Sequence, residues 1–252
     1  ASARQLNQWL AFIHWDFGTG LSAAWWRDKH HRHHANTNRP TVDADLYSFL
    51  TYSDEEAQNA TGLKRLIARH QVAWFISLSP FTRWFFLLLS LNFVARRPRL
   101  WLGHAVAISA HFVLAFALFS AVDDLWRGIA LYTLASIITG VYMVYVFAPN
   151  HTGMPLNCDG PIDYRDQLRA TRNIRTGPIG DVVWVGLNYQ IEHHLFPQLP
   201  RGQLHRASHI VATWCAEQNL PYHRQSSTDG WRDVFSSFHS VRDAAARQVG
   251  RA

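Results

Sequence analysis

Seven of the fifteen histidines in this 252-residue chain fall in three short clusters, and the spacing of six of them is that of metal ligands. The first cluster is Lys29-His30-His31-Arg32-His33-His34-Ala35-Asn36. On a helix, His30, His33 and His34 stand at i, i+3 and i+4 and share a face, so three imidazoles can converge, while His31 points about 100° away. Gln190-Ile191-Glu192-His193-His194 repeats the spacing with Gln190 in the leading place, and Asn150-His151 stands alone. Imidazole suits iron, zinc, copper or nickel. More than four histidines exceed one tetrahedral zinc site and fit a two-metal centre, although ligand counting leaves two zincs open. Cys158 and Cys215 supply neither a disulfide scaffold nor a thiolate zinc site and read as free thiols. His14, His70, His205, His209, His223 and His239 read as ordinary surface or hydrogen-bonded histidines; His104 and His111, seven apart on one helix face, read as packing residues.

The elements that must position these clusters are membrane helices. Residues 101–122 and 128–148 contain no Asp, Glu, Lys or Arg, and each is close to the roughly 20 residues that cross a bilayer. Trp101 and Trp126 stand at segment ends, as in an interfacial aromatic belt. Arg96, Arg97 and Arg99 precede the first span, whereas Asp123 and Asp124 make the loop between spans acidic, which places that loop outside and both flanks of the hairpin in the cytoplasm. Residues 71–95 are apolar but interrupted by Pro80 and Arg83, and read as interfacial or re-entrant, which keeps all three histidine clusters on one side. Residues 9–26, with Asp16, Gly18 and Gly20, read as a further interfacial helix; residues 1–70 are cytoplasmic or interfacial, and 149–252 form a cytoplasmic cap. The expected fold class is therefore all-α, a single multi-pass membrane domain whose helical cap holds the di-metal site.

Composition agrees with this reading. With 48% hydrophobic residues and 13% aromatics the chain is not disordered. The net charge of +6 comes almost wholly from arginine, and those arginines flank membrane segments, so the basicity points to lipid headgroups and not to nucleic acid. Arg165, Arg169, Arg172 and Arg175 suggest either a stripe for carrier phosphates or, better, a solvated or lipid-facing surface.

The clusters resemble the histidine boxes of the membrane fatty acid desaturases. The string from Trp25-Trp26-Arg27-Asp28 through His30, His33 and His34 to Asn36-Thr37-Asn38 resembles the family's second box, H-x-x-H-H. Gly186-Leu187-Asn188-Tyr189-Gln190-Ile191-Glu192-His193-His194-Leu195-Phe196-Pro197 resembles the third box in its Q-x-x-H-H form, typical of the front-end subgroup. The first box, H-x-x-x-H, has no counterpart: His14-Trp15-Asp16-Phe17-Gly18 ends in glycine, and the opening Ala1-Ser2-Ala3-Arg4-Gln5 reads as a cut within a longer chain. A fragment lacking that box, with an incomplete di-iron site, is the expectation.

The resemblance implies an O2-dependent desaturase that binds two irons through His30, His33, His34, His151, His193 and His194, with Gln190 in a box position. It implies a fatty acyl substrate on coenzyme A or a glycerolipid, membrane lipids around the chain, and electrons from an external ferredoxin or cytochrome with its reductase. Asp28, Asn36, Asn38, Asn150 and Glu192 adjoin ligands and are expected to orient imidazoles. Trp25, Trp26, Trp184 and Tyr189 are expected along an acyl tunnel. A related di-iron hydroxylase and a catalytically inactive metal-binding membrane protein are the competing readings.

Overall fold

The computed structural model describes residues 3–121, 124–157 and 160–247, mostly as helix. Ala1, Val122, Asp123 and Cys158, which carried expectations about the chain start, the hairpin loop and the thiols, lie outside the described residues. The chain divides into two compact units, Ala1–His31 with Leu78–Met143, and Arg32–Ser77 with Val144–Ala252.

The first unit begins with α1 (Ala3–Ala11), which continues as a π-helical turn, Phe12–Phe17. Gly20, at φ 72°, ends that run, and α2 (Ala23–Ala35) starts after it. The remainder of the unit is α6 (Thr82–Ala95), α7 (Pro98–Ser120) and the greater part of α8 (Leu125–His151). Its polar groups are paired inside: Asp16 is fully buried, accepts from the Ala23 amide at 2.9 Å and bonds His104 Nδ1, while His111 Nδ1 donates to the Phe17 carbonyl at 2.9 Å. Both histidines thus have helix-packing partners. Arg83, only 7% exposed, donates to the Thr19 carbonyl and to the Tyr132 hydroxyl.

Gln71–Ala95, Trp101–Ser120 and Leu125–His151 are each long and apolar enough to cross a membrane. The first comprises α5 (Gln71–Leu78), a 3-10 turn Ser79–Phe81 containing Pro80, and α6. Length and apolarity therefore do not separate it from the other two. The turn is accommodated by Gly140 of α8, where an added Cβ would stand 2.5 Å from the Pro80 carbonyl oxygen.

In the second unit α3 (Asp54–Asn59) and α4 (Gly62–Arg69) pack on the long C-terminal α13 (Ser227–Arg247) through Ala57, Ala68, Val241, Ala244 and Ala245. Ser53 caps α3 by accepting from the Glu56 amide, and Asp163 with Asp166 forms a capping box on α9 (Tyr164–Ala170). The helices α10 (Pro178–Trp184), α11 (Gln190–Leu195) and α12 (Arg201–Glu217) complete the unit. Between them runs one short parallel pair, β1 (Asn173–Arg175) with β2 (Arg224–Ser226), registered Asn173 to Arg224 and Arg175 to Ser226. Three residues per strand carry no period-2 signal, and the all-α expectation did not include them.

Arg172 departs from the expected arginine stripe. It is fully buried, donating to Asp233 Oδ2 at 2.6 Å and to the Thr152 carbonyl at 2.5 Å, while Arg165, Arg169 and Arg175 remain exposed. It ties the turn after α8 to α13.

Because the obstacle at Gly140 is backbone, a Gly140→Ala substitution should cost about 1–3 kcal/mol by overpacking. A lowered midpoint of thermal unfolding in detergent, followed by helical circular dichroism, is the expected result.

Candidate metal centre

The site is assembled in the second unit from the ends of helices. The last turn of α2 carries His33, buried at 2% exposure, and His34. His31 is exposed, as its position on the helix requires. Beyond Ala35 the chain turns at Asn38, whose φ is 53°, and the buried Asp43 folds back: its Oδ2 accepts from the Asn38 amide at 2.7 Å and its Oδ1 from the Asp45 amide at 2.8 Å. The same Oδ1 lies 2.8 Å from His33 Nδ1.

His151 is the last residue of α8. Pro149 lies inside this helix and removes one backbone donor, and the neighbouring Asn150 side chain donates to the Val146 carbonyl at 2.9 Å. Asn150 Nδ2 also reaches Gln190 Oε1 at 3.3 Å, which leaves Gln190 Nε2 to donate to His151 Nε2 at 2.9 Å.

The third element is α11. Its N-terminus is fixed by Asn173 of β1, whose Oδ1 accepts from the Ile191 amide at 2.9 Å. Glu192, fully buried, accepts from Asn173 Nδ2 at 2.8 Å and from the Tyr222 hydroxyl at 3.0 Å. Burial pushes the Glu192 carboxyl up and, with the adjacent Glu192, pushes the Tyr222 hydroxyl up as well. Ile191 faces the opposite way, into an apolar cluster with Leu168, Val211 and Cys215. With one side of α11 anchored in that cluster, His193 and His194 are presented to α2 and α8.

Two groups result. His33, His151 and His194 form one, with ring nitrogens within 4.8 Å of one another. His34 and His193 begin the other, Nε2 to Nε2 at 3.1 Å, and His30 stands one turn before His34 on α2, in the first unit. The three imidazoles expected to share one helix face therefore divide, His33 to one group and His34 to the other.

Hydrogen bonding decides which nitrogens are available. In the first group every Nδ1 faces an acceptor: His33 has Asp43, His151 has the Ala170 carbonyl at 3.1 Å, and His194 has Gln167 Oε1 at 2.9 Å with the Thr37 hydroxyl at 3.2 Å. Neutral imidazoles so arranged carry the proton on Nδ1 and a lone pair on Nε2. His33 and His151 then bring two lone pairs to 3.3 Å, and His194 Nε2 is buried with no hydrogen-bond partner among the described residues. The Gln190 amide offsets the crowding at His151 Nε2, and the unpartnered Nε2 of the buried His194 is suited to a cation. Burial, reinforced by the neighbouring histidines, also holds His194 well below the ordinary histidine range, and burial with the charge of Arg201 pushes His193 down to about 4. Both are therefore neutral and able to bind metal near pH 7.

Other expected residues are placed as follows. Asn38 Nδ2 donates to the carbonyls of His151 and Pro155, tying the turn after α2 to the histidine-bearing end of α8 through backbone. Asn36 donates to the Arg32 carbonyl at 2.9 Å, a helix-terminating contact. Asp28 is half-buried on α2, in the first unit. Glu192 is directed at Asn173 and Tyr222 and not at an imidazole. Trp25 packs on Phe86 and Trp26 stacks between Trp15 and His30 in the first unit, whereas Trp184 is buried with Val146 and Ile174, and Tyr189 donates to Asp181, in the second. An open apolar cavity of about 530 Å³ is lined by Phe12, Ile13, Phe17, Leu102, Val106 and Ala110, and by none of those four aromatics. Asp43 and Gln167 were not anticipated. Only the acidic Asp43-Ala44-Asp45 stretch shortly after the first cluster could have drawn attention to the former.

The fatty acid desaturase family model covers residues 1–226, and the chain belongs to that family. Among its curated relatives are the Delta(6)-fatty-acid desaturase fat-3 of Caenorhabditis elegans, 30% identical over 90% of this chain and 56% of that protein, and the Delta(5) fatty acid desaturase fat-4 of the same organism, 28% identical over 97% and 58%. The Delta(8)-fatty-acid desaturase of Euglena gracilis is 29% identical over 89% of this chain and 58% of its own length. The chain thus spans little more than half the length of these relatives. No solved structure matches it.

The lowered histidine pKa values link the site to stability. In the metal-free chain His193 and His194 take up protons near pH 6.5 when unfolded but only at lower pH when folded, so their contribution is complete above about pH 6.5 and is lost as pH falls toward 4. Chelator-treated protein should show an unfolding midpoint that declines across that window; a flat midpoint from pH 7 to 4.5 would contradict the placement of these rings.

Proposed function

We propose that the chain forms the metal-binding part of an O2-dependent di-iron fatty acyl desaturase of the front-end type. The observation that carries this reading is the group formed by His33, His151 and His194, whose Nδ1 atoms are all occupied by acceptors and whose Nε2 atoms converge. His33, His151 and His194 would hold one iron; His34 and His193, with His30 from the preceding turn of α2, would contribute to the second. An all-nitrogen, thiolate-free donor set is one that iron accepts. The relatives named above are desaturases acting on fatty acids.

A di-iron pair supplies, with O2, the oxidising power that removes two hydrogens from adjacent methylenes, chemistry beyond any side-chain acid or base. The balance is one acyl CH2–CH2, one O2, two electrons and two protons going to CH=CH and two waters. The protein's part is positional. Asp43 holds the His33 ring through Nδ1 and strengthens the basicity of Nε2, and Gln167 and the Ala170 carbonyl do the same for His194 and His151. Gln190, held by Asn150, contacts His151 Nε2 and competes for its lone pair, so ligation of His151 requires the amide to yield or turn. We place the substrate on coenzyme A or a glycerolipid, and the site on the cytoplasmic side of the membrane. Two electrons per turnover would come from a ferredoxin or cytochrome with its reductase.

Expression from the native reading frame in yeast, followed by gas chromatography of total fatty acids, tests the reading. A new double bond between an existing one and the carboxyl end is expected, and its loss in His33→Ala and His194→Ala. A hydroxy acid in place of a new double bond, or zinc instead of iron in the purified protein, would overturn it. Asp43→Asn should lower iron affinity about 10- to 100-fold in chelator competition while leaving the helical signal unchanged.

A further inference from the structure

The cap presents one apolar surface that the metal site does not use. On α10, Ile179 is 83% exposed and Val182 77%, three residues apart on one helix face, and Val185, just past the helix, adds 41%. Val185 is a β-branched residue at φ 55°, a C-terminal position where glycine ordinarily stands.

Three observations say what covers this face. First, the acid within α10 is withdrawn from it: Asp181 accepts from Asn188 Nδ2 at 2.8 Å, from Tyr189 Oη at 3.1 Å and from the Thr176 hydroxyl. Second, the opposite side of α10 is anchored on the end of a helix long and apolar enough to cross a membrane. Trp184 packs on Tyr145 at 5.5 Å between ring centroids and is buried with Val146 and Ile174, with Phe147 and Leu187 alongside. Third, depth follows from length. At 27 residues α8 is about 40 Å long and exceeds the roughly 30 Å hydrocarbon core, and its one charged side chain, Arg127, lies in the first turn, so about 20 residues counted from Gly128 bring Tyr145–Phe147 to where hydrocarbon meets headgroups. Tyr145, 38% exposed, is the residue type that favours this level. A helix packed there with aliphatic side chains outward has lipid beside it.

We propose that α10 is an interfacial membrane helix, its Ile179–Val182 face buried at the headgroup–acyl boundary of the bilayer that α8 crosses. The cap is then seated in the membrane surface next to the third box. The inference rests on α8 crossing a bilayer and is independent of the catalytic reading.

The test places nitroxide labels on the full chain in nanodiscs of phosphatidylcholine and phosphatidylglycerol, with Cys158→Ser and the buried Cys215 retained. Labels at Val182→Cys and, separately, Ile179→Cys are compared with Leu134→Cys on the exposed side of α8 and Arg206→Cys on the exposed side of α12. Power saturation with oxygen and with a water-soluble nickel chelate reads the depth of each. The expected ratio of oxygen to nickel accessibility at 179 and 182 lies nearer that of 134 than that of 206. A ratio at both sites matching 206 overturns the proposal, as does a water-like ratio at 134. Both positions are exposed, so the labels leave packing intact, and loss of desaturation with a lipid-like ratio would count against the catalytic reading alone.

Discussion

The second unit is organised around a local crowding: three imidazoles, two buried and one half-buried, whose Nδ1 atoms are hydrogen-bonded outward and whose remaining ring nitrogens are drawn together. The acceptors that fix the tautomers come from two stretches of chain, both outside the histidine clusters. Asp43 comes from the loop after α2, Ala170 from the end of α9, and Gln167 from within α9, where its own amide nitrogen donates to the His34 carbonyl at 2.8 Å. Isolated buried polar groups are costly, and networks that satisfy them fully are specific. Here the satisfaction is deliberately one-sided. The outer nitrogens are saturated, whereas the inner Nε2 of His151 accepts from the Gln190 amide and that of His194 has no hydrogen-bond partner among the described residues, a disposition suited to a cation.

Much of the surrounding architecture serves to hold that arrangement. The β1–β2 pair is only three residues long, yet Asn173 at its start both caps α11 and bonds Glu192, and Asn173 N–H donates to the His223 carbonyl at 2.8 Å. Arg172, one residue earlier, binds α13 through Asp233 and the end of α8 through the Thr152 carbonyl. The strand therefore connects the third box to the helix that carries His151. Glu192 serves this framework, which explains its burial without giving it an imidazole to orient.

The parts of this structure that were legible in the amino-acid order are those with a local period. His30, His33 and His34 announce a helix, and residues 101–122 and 128–148 announce long apolar helices that α7 and α8 largely match. The parts that were not legible depend on distance along the chain. Gln167 is 27 residues from His194, and the loop that returns Asp43 to His33 passes through positive φ at Asn38 and Thr41, conformations that side-chain type alone does not announce. Glu192 illustrates the converse. Adjacency to His193 suggested a role in orienting the ligands, but neighbouring residues on a helix point about 100° apart, and its carboxylate lies on the far side.

That same 100° step makes α2 a ruler for the site. His33 and His34 are neighbours in the chain but serve separate groups, so the separation between the groups is written into the geometry of a single helical turn. One inserted or deleted residue between His30 and His34 would turn every later imidazole by about 100° and exchange or empty both groups at once. The loop beyond Asn38 faces a looser demand, since between Asn38 and Asp43 it needs only to return one carboxylate to one ring. Length variation in descendants of this chain should therefore be confined to such connections, with the spacing inside the box held rigid by the pitch of the α-helix itself.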